Sequence, residues 1–247
     1  MIRIAYGLYA WTLFALLGAA VVPVLLLTPT LQRRRALVRG LGRWVLRGVG
    51  MRVRVHGLPL LETPSVVVAN HASYLDGIVL QAVLPPSFSF VIKREMASVP
   101  LAGTLLRRIG AEFVERQDRR RGARDARRLL RKAARGQALV FFPEGTFSAT
   151  VGLLRFHIGA FAAATRAELP VVPIAIRGTR YCMPPQRPWP RPGRIEVEVL
   201  AAIPGRAAGR GYDAEHAASL RDSARDALLR ALGEPDLAAA DADAQRA

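Results

Sequence analysis

A chain of 247 residues, 51% of them hydrophobic, is long enough for one main α/β domain with a full core, and its composition excludes a disordered polymer. The formal net charge of +17 is almost entirely arginine, since Lys93 and Lys132 are the only lysines, and it favours an anionic partner: a phospholipid surface, a phosphorylated substrate, an acidic carrier protein or nucleic acid. Cys182 is the only cysteine, which excludes an intramolecular disulfide, gives no support to a cysteine-based metal site and is compatible with a reducing compartment.

The first predicted element is the uncharged run Ile4 to Leu31. About 20 helical residues cross a bilayer core, so this run is long enough to span, or to enter and return at a kink favoured by Pro23. It is longer than the apolar region of a cleaved leader and lacks a clear small-x-small site before the arginines. Arg3 precedes it and Arg33, Arg34, Arg35, Arg39, Arg43 and Arg47 follow. By the positive-inside tendency, the rest of the chain then faces the cytoplasm, on the inner side of the cell membrane. Arg35, Arg39, Arg43 and Arg47 recur every four residues beside Leu37, Leu41, Trp44, Val45 and Val49. That pattern fits a helix in the headgroup plane, and equally an amphipathic helix packed on its own domain; its place after a membrane segment favours the first. Residues 1–50 are therefore expected to form a membrane anchor with a basic interfacial helix.

Residues 51–233 alternate between the two periodicities. Strands are expected at "RVRVHG", "SVVVAN", "FSFVIK", "AEFVER", "ALVFFPEG", "VVPIAIRG" and "RIEVEVLA". Helices are expected at "LDGIVLQAVL", "LAGTLLRRIG", "RRGARDARRLLRKAARG", "HIGAFAAATRAE" and "YDAEHAASLRDSARDALLRAL". This order predicts a mixed, largely crossover-connected α/β sheet flanked by helices. The proline-rich "MPPQRPWPRPGR" marks a surface loop, and residues 234–247 read as a disordered tail.

In "VVVANHASYLDG", His71 directly follows a strand of β-branched residues, and Asp76 comes five positions later. Five positions apart on one helix would place them about 140° apart, so they can meet only if His71 lies in the loop and Asp76 in the helix's first turn. A carboxylate against one imidazole nitrogen leaves the other as a general base near neutral pH. The competing account is structural: Asn70, Ser73 and Asp76 cap the helix, and His71 is a satisfied turn residue. A second apolar strand, "ALVFF", runs into a polar turn containing Glu144, Gly145, Thr146 and Ser148.

Together, "NHASYLD", "GAEFVER" with Gly110 and Arg116, "FPEGT", and "VVPIAI" with Pro173 resemble the four ordered blocks of the glycerolipid acyltransferase family, which includes 1-acylglycerol-3-phosphate acyltransferases. The likeness runs from about Trp44 to Ile203. It implies that a fatty acyl chain passes from an acyl thioester, on coenzyme A or acyl carrier protein, to a lysophospholipid hydroxyl. Lysophosphatidate is the first acceptor and phosphatidate the product. His71 would be the base and Asp76 its orienting carboxylate, with no metal or bound cofactor and no covalent intermediate on Ser73 or Cys182. Glu144, Gly145 and Thr146 match the acceptor-binding turn.

The chain departs from many phosphate-handling relatives by carrying Phe147 after "FPEGT" and Arg155 with His157 in "LRFHIG". Lys93, Arg116 and Arg155 are then the candidate phosphate cations, and another lysolipid head group is the alternative acceptor. The arginine-rich "ERQDRRRGARDARRLLRKAARG" fits either an anion-docking face or a solvated helix partly neutralised by Asp118 and Asp125. The same charge motivates a nucleic-acid binder or a non-catalytic membrane protein. Neither explains the His71–Asp76 spacing, and the sequence shows no nucleic-acid recognition module.

Overall fold

The computed structural model describes residues 2–61, 63–115, 118–187, 189–205 and 213–239. The chain divides into two compact units: Met1–Arg54, Ser73–Leu129 and Gly178–Ile195 form the first, and Val55–Ala72, Leu130–Arg177 and Glu196–Ala247 the second.

In the second unit, β2 (Val66–Ala69) lies between β5 (Leu139–Phe141) and β6 (Val171–Arg177), parallel to both, while β7 (Gly193–Val199) pairs antiparallel with β6. The sheet is mixed α/β, as expected. Every residue of β2 is buried, which is why the segment reads as an unbroken apolar run rather than an alternating one. Helix α6 (Gly159–Ala167) packs on β2, α8 (Ala214–Leu232) packs on β6, and the two helices pack on each other. Parallel pairing in the register Val66↔Leu139 and Val68↔Phe141 brings the carboxyl ends of β2 and β5 to one edge. Functional groups gather at such edges in α/β sheets.

In the first unit, α1 (Ile2–Leu27) and α2 (Leu31–Gly48) pack against each other, α2 packs on α3 (Leu75–Val83), and β3 (Ser89–Lys93) pairs parallel with β4 (Glu112–Val114). The span Ile4–Leu27 is long and apolar enough to cross a membrane, and the helix runs through Pro23 without ending. It is also held near both ends. Tyr6 and Tyr9 donate to the carbonyls of Val49 and Gly48, while Leu25 joins a cluster with Val38 and Ile109. Helix α4 (Ala102–Arg108) contacts α1 as well.

The arginine stripe on α2 is engaged in part within the fold. Arg35 is only 5% exposed and donates to the carbonyls of Ile109 (2.8 Å), Pro86 (3.1 Å), Ser87 (3.2 Å) and Gly110 (3.3 Å), and to Ser89 Oγ. Arg39 and Arg43 donate to Val83 O and Ala82 O, the carbonyls left open at the end of α3. The fourfold spacing places these guanidiniums along α3 and the loops beside it, where they satisfy main-chain acceptors. Arg43 and Arg47 nevertheless stay exposed, as does Trp44 at 72%.

The basic helix α5 (Arg119–Ala134) is anchored by a carboxylate rather than merely neutralised by one. Asp125, buried, accepts from Arg94 (2.7 Å), Arg128 (2.6 Å) and the Glu115 N–H (3.0 Å). The region expected to be a disordered tail begins with ordered contacts. Leu153 donates its N–H to Pro235 O, and Asp236 pairs with Arg225; residues 240–247 lie outside the described ones.

Candidate active site

The end of β2 is pinned before His71 is reached. Asn70 lies one residue beyond the strand, and its amide extends the ladder: Nδ2 donates to Ile176 O at 2.9 Å and Oδ1 accepts the Ile176 N–H at 2.7 Å. The loop residue His71 is thereby fixed at the strand's carboxyl end. Its own N–H donates to Glu144 Oε1 at 2.6 Å. The ring stacks on Phe142 with centroids 4.3 Å apart and planes at 22°, and meets Phe147 edge-on at 4.6 Å and 70°.

The segment after β5 supplies those partners through one tight turn. Gly145 donates to Phe142 O at 3.0 Å and has φ +74°, a conformation that glycine adopts without cost. The turn carries Phe142, Glu144 and Phe147 into one group around His71. Glu144 is 4% exposed, and its Oε2 accepts the Leu154 N–H at 3.0 Å. A carboxylate held by two main-chain donors braces the histidine loop against the segment that follows the turn. Thr146 is exposed, as are Arg155 and His157.

Asp76 and Lys93 lie in the first unit. Asp76 is fully buried and its Oδ2 accepts the Ser73 N–H at 2.8 Å, while Ser73 Oγ accepts the Leu75 N–H at 3.2 Å. These bonds tie Ser73 and Asp76 to the start of α3, as the structural account expects of those two, while Asn70 bonds Ile176 instead. Asp76 thereby sits in the first turn of α3. Ser73 is buried, and its hydroxyl donates to Met183 O at 2.8 Å, which commits its proton. Burial pushes the Cys182 thiol up to about 11, far from a reactive thiolate. Lys93 is exposed at the end of β3, and Arg116 lies outside the described residues. Gly110, matched to the second block, packs against Arg35: a Cβ there would meet Arg35 Nη2 at 3.1 Å.

Sequence reasoning missed Phe142 and treated Phe147 only as an absent cation. The available signal was an aromatic on each side of the "PEG" turn that follows a buried strand.

The α/β fold that carries this histidine is a known one. The crystal structure of the 1-acyl-sn-glycerophosphate acyltransferase PlsC from Thermotoga maritima superposes with a TM-score of 0.77, covering 94% of this chain and 95% of that one at 22% identity. The acyltransferase family model matches residues 52–177. A 1-acyl-sn-glycerol-3-phosphate acyltransferase of Chlamydomonas reinhardtii is 34% identical over 176 residues, covering 71% of this chain and 50% of that protein. The protein acl-2 of Caenorhabditis elegans is 30% identical over 201 residues, covering 80% of this chain and 70% of that protein. The chain thus spans half the length of the algal relative. It belongs to the glycerolipid acyltransferase family.

Proposed function

We propose that this chain transfers a fatty acyl group from an acyl thioester, acyl-CoA or acyl carrier protein, to the free hydroxyl of a lysophospholipid. Lysophosphatidate is the leading acceptor and phosphatidate the product. The observation that carries the reading is His71, anchored through its own N–H to Glu144 and walled by Phe142 and Phe147 at a strand's carboxyl end.

In this reading an unprotonated His71 nitrogen takes the acceptor hydroxyl's proton as the oxygen attacks the thioester carbonyl. Collapse of the tetrahedral intermediate forms the ester and breaks the C–S bond; the imidazolium returns the proton to the departing sulfur. Asp76 orients the ring and offsets its transient charge. The aromatic walls add to this, since a cation against an aromatic face gains about 0.5–2 kcal/mol. Neither Ser73 nor Cys182 takes part, and no metal or bound cofactor is required.

The activities for which the algal relative and the Thermotoga protein are named support lysophosphatidate as acceptor. Phe147 favours a second reading, in which a different lysolipid is used, because it stands where many phosphate-handling relatives carry a cation; Lys93, Arg116 and Arg155 are the replacements the sequence suggests. Thr146, Gly145 and Glu144 would line the acceptor's polar end. The apolar α1 supports residence at a membrane, and the flanking arginines favour the cytoplasmic face of the inner membrane.

The test is lipid mass spectrometry of purified wild-type and His71→Ala protein with a panel of lysolipids and both donor types. Wild-type protein is expected to make phosphatidate from lysophosphatidate and His71→Ala to make almost none. Absence of any diacyl product from every wild-type pairing would refute the reading.

A further inference from the structure

The first unit holds a half-open apolar chamber of about 490 Å³. Its walls include Trp11 and Phe14 from α1, Tyr74 and Ile78 at the start of α3, and Met183 and Pro190 from the proline-rich loop. The loop is built into this position. Trp189 packs directly against Gly7 of α1, Arg191 donates its N–H to Cys182 O at 2.7 Å, and Ser73 Oγ holds Met183 O just ahead of α3. Three separate elements are cross-braced around a space none of them fills. Arg187, also lining the chamber, is exposed, and no described residue forms an ion pair with it.

An apolar space with a single free guanidinium matches an amphiphile with one hydrocarbon chain and one anionic head. One wall belongs to a helix apolar enough to cross a membrane, with Leu8 and Leu16 turned outward. A lipid already partitioned into a bilayer reaches the chamber along that helix. A coenzyme A donor, with a diphosphate and a further phosphate, is a poor match for one guanidinium. We propose that the chamber binds the hydrocarbon chain of the lysophospholipid acceptor, with Arg187 pairing its phosphate-bearing head. This rests on the acyltransferase reading. It makes α1 part of the acceptor site rather than an anchor alone.

The experiment uses the full-length protein in phosphatidylcholine nanodiscs and compares oleoyl with hexanoyl lysophosphatidate, each with a short and a long acyl donor. Phe14→Ala and Ile78→Ala each remove several chain-contacting carbons at about 0.8 kcal/mol per CH₂, so KM for the oleoyl acceptor is expected to rise about tenfold or more, and KM for the hexanoyl acceptor far less. Arg187→Gln is expected to raise KM for lysophosphatidate but not for an uncharged monoacylglycerol. Equal effects on both acceptor lengths, or a dependence on donor length instead, would overturn the proposal. Binding is read separately, by quenching of tryptophan fluorescence with lysophosphatidate brominated along its chain, in wild-type protein and Trp11→Phe. Quenching that depends on Trp11 in a protein without turnover would keep the chamber and sink the acyltransferase reading. Turnover without such quenching would do the reverse.

Discussion

Glu144 and His71 are joined side chain to main chain: the carboxylate Oε1 accepts the His71 N–H at 2.6 Å, and Oε2 of the same group accepts from Leu154. The carboxylate most readily taken for a substrate ligand is thus first a brace for the histidine loop. Glu144→Gln keeps the shape but replaces one acceptor with a donor, leaving a buried N–H unmatched at a cost of about 1–3 kcal/mol. Melting temperature and turnover should fall together, with Glu144→Asp no better because its shorter arm reaches only one of the two amides. Wild-type melting and turnover in Glu144→Gln would rule the brace out.

His71→Ala should lower turnover by about 10² to 10⁴, the usual range for a lost general base. Asp76→Asn retains a side-chain oxygen for the Ser73 N–H and therefore the cap of α3, so it tests charge separately from folding. Its turnover should fall about 10² while its far-UV spectrum stays native. If Asp76→Asn turned over at the wild-type rate, Asp76 would be a cap and nothing more.

Phe147 meets the His71 ring edge-on, and Phe142 covers its face. An aromatic pair contributes about 0.5–1.5 kcal/mol beyond area burial, so Phe147→Leu is expected to lower kcat about two- to tenfold while Phe147→Tyr stays near wild type. A change confined to acceptor KM would mean that Phe147 touches substrate instead of positioning the histidine.

The four main-chain carbonyls that accept from Arg35 make it a structural cation. Arg35→Met strands buried acceptors and should destabilise the protein by about 3 kcal/mol or more. Arg47→Gln, on the exposed part of the same helix, should change stability by under about 0.5 kcal/mol. Chemical denaturation of both variants decides it: similar, small losses would restore the stripe to the membrane surface.

Hydrogen bonds from Arg225, with the Ala238 and Ala239 N–H groups, hold the Asp236 carboxyl down at about 2, against the smaller upward push of partial burial. Because the folded value lies below the ordinary one, the stabilisation is present above about pH 4 and is lost as pH falls through about 2. With the Asp236 side chain 34% exposed, solvent screening leaves about 1 kcal/mol of it. Melting curves of wild type and Asp236→Asn should differ at neutral pH and converge near pH 2. A gap that persisted unchanged at pH 2 would place the effect elsewhere.

Much of this protein was legible as a string because its signals are local. The continuous "VVVA" and "ALVF" runs, the glycine in "FPEG" and the spacing from His71 to Asp76 specify buried parallel strands, a positive-φ turn and a strand-end histidine without reference to anything distant. The apolar run in α1 is equally self-evident. Partner choice is not local, and there the tertiary structure decided. Nothing in a four-residue arginine repeat reveals whether the guanidiniums meet phosphates or the carbonyls that end α3, since both are oxygen acceptors and only packing brings one or the other within reach. The same holds for Glu144, whose two oxygens are taken by amides 73 and 10 positions away, and for Phe142 and Phe147, which become walls of the histidine only once β2 and β5 lie side by side.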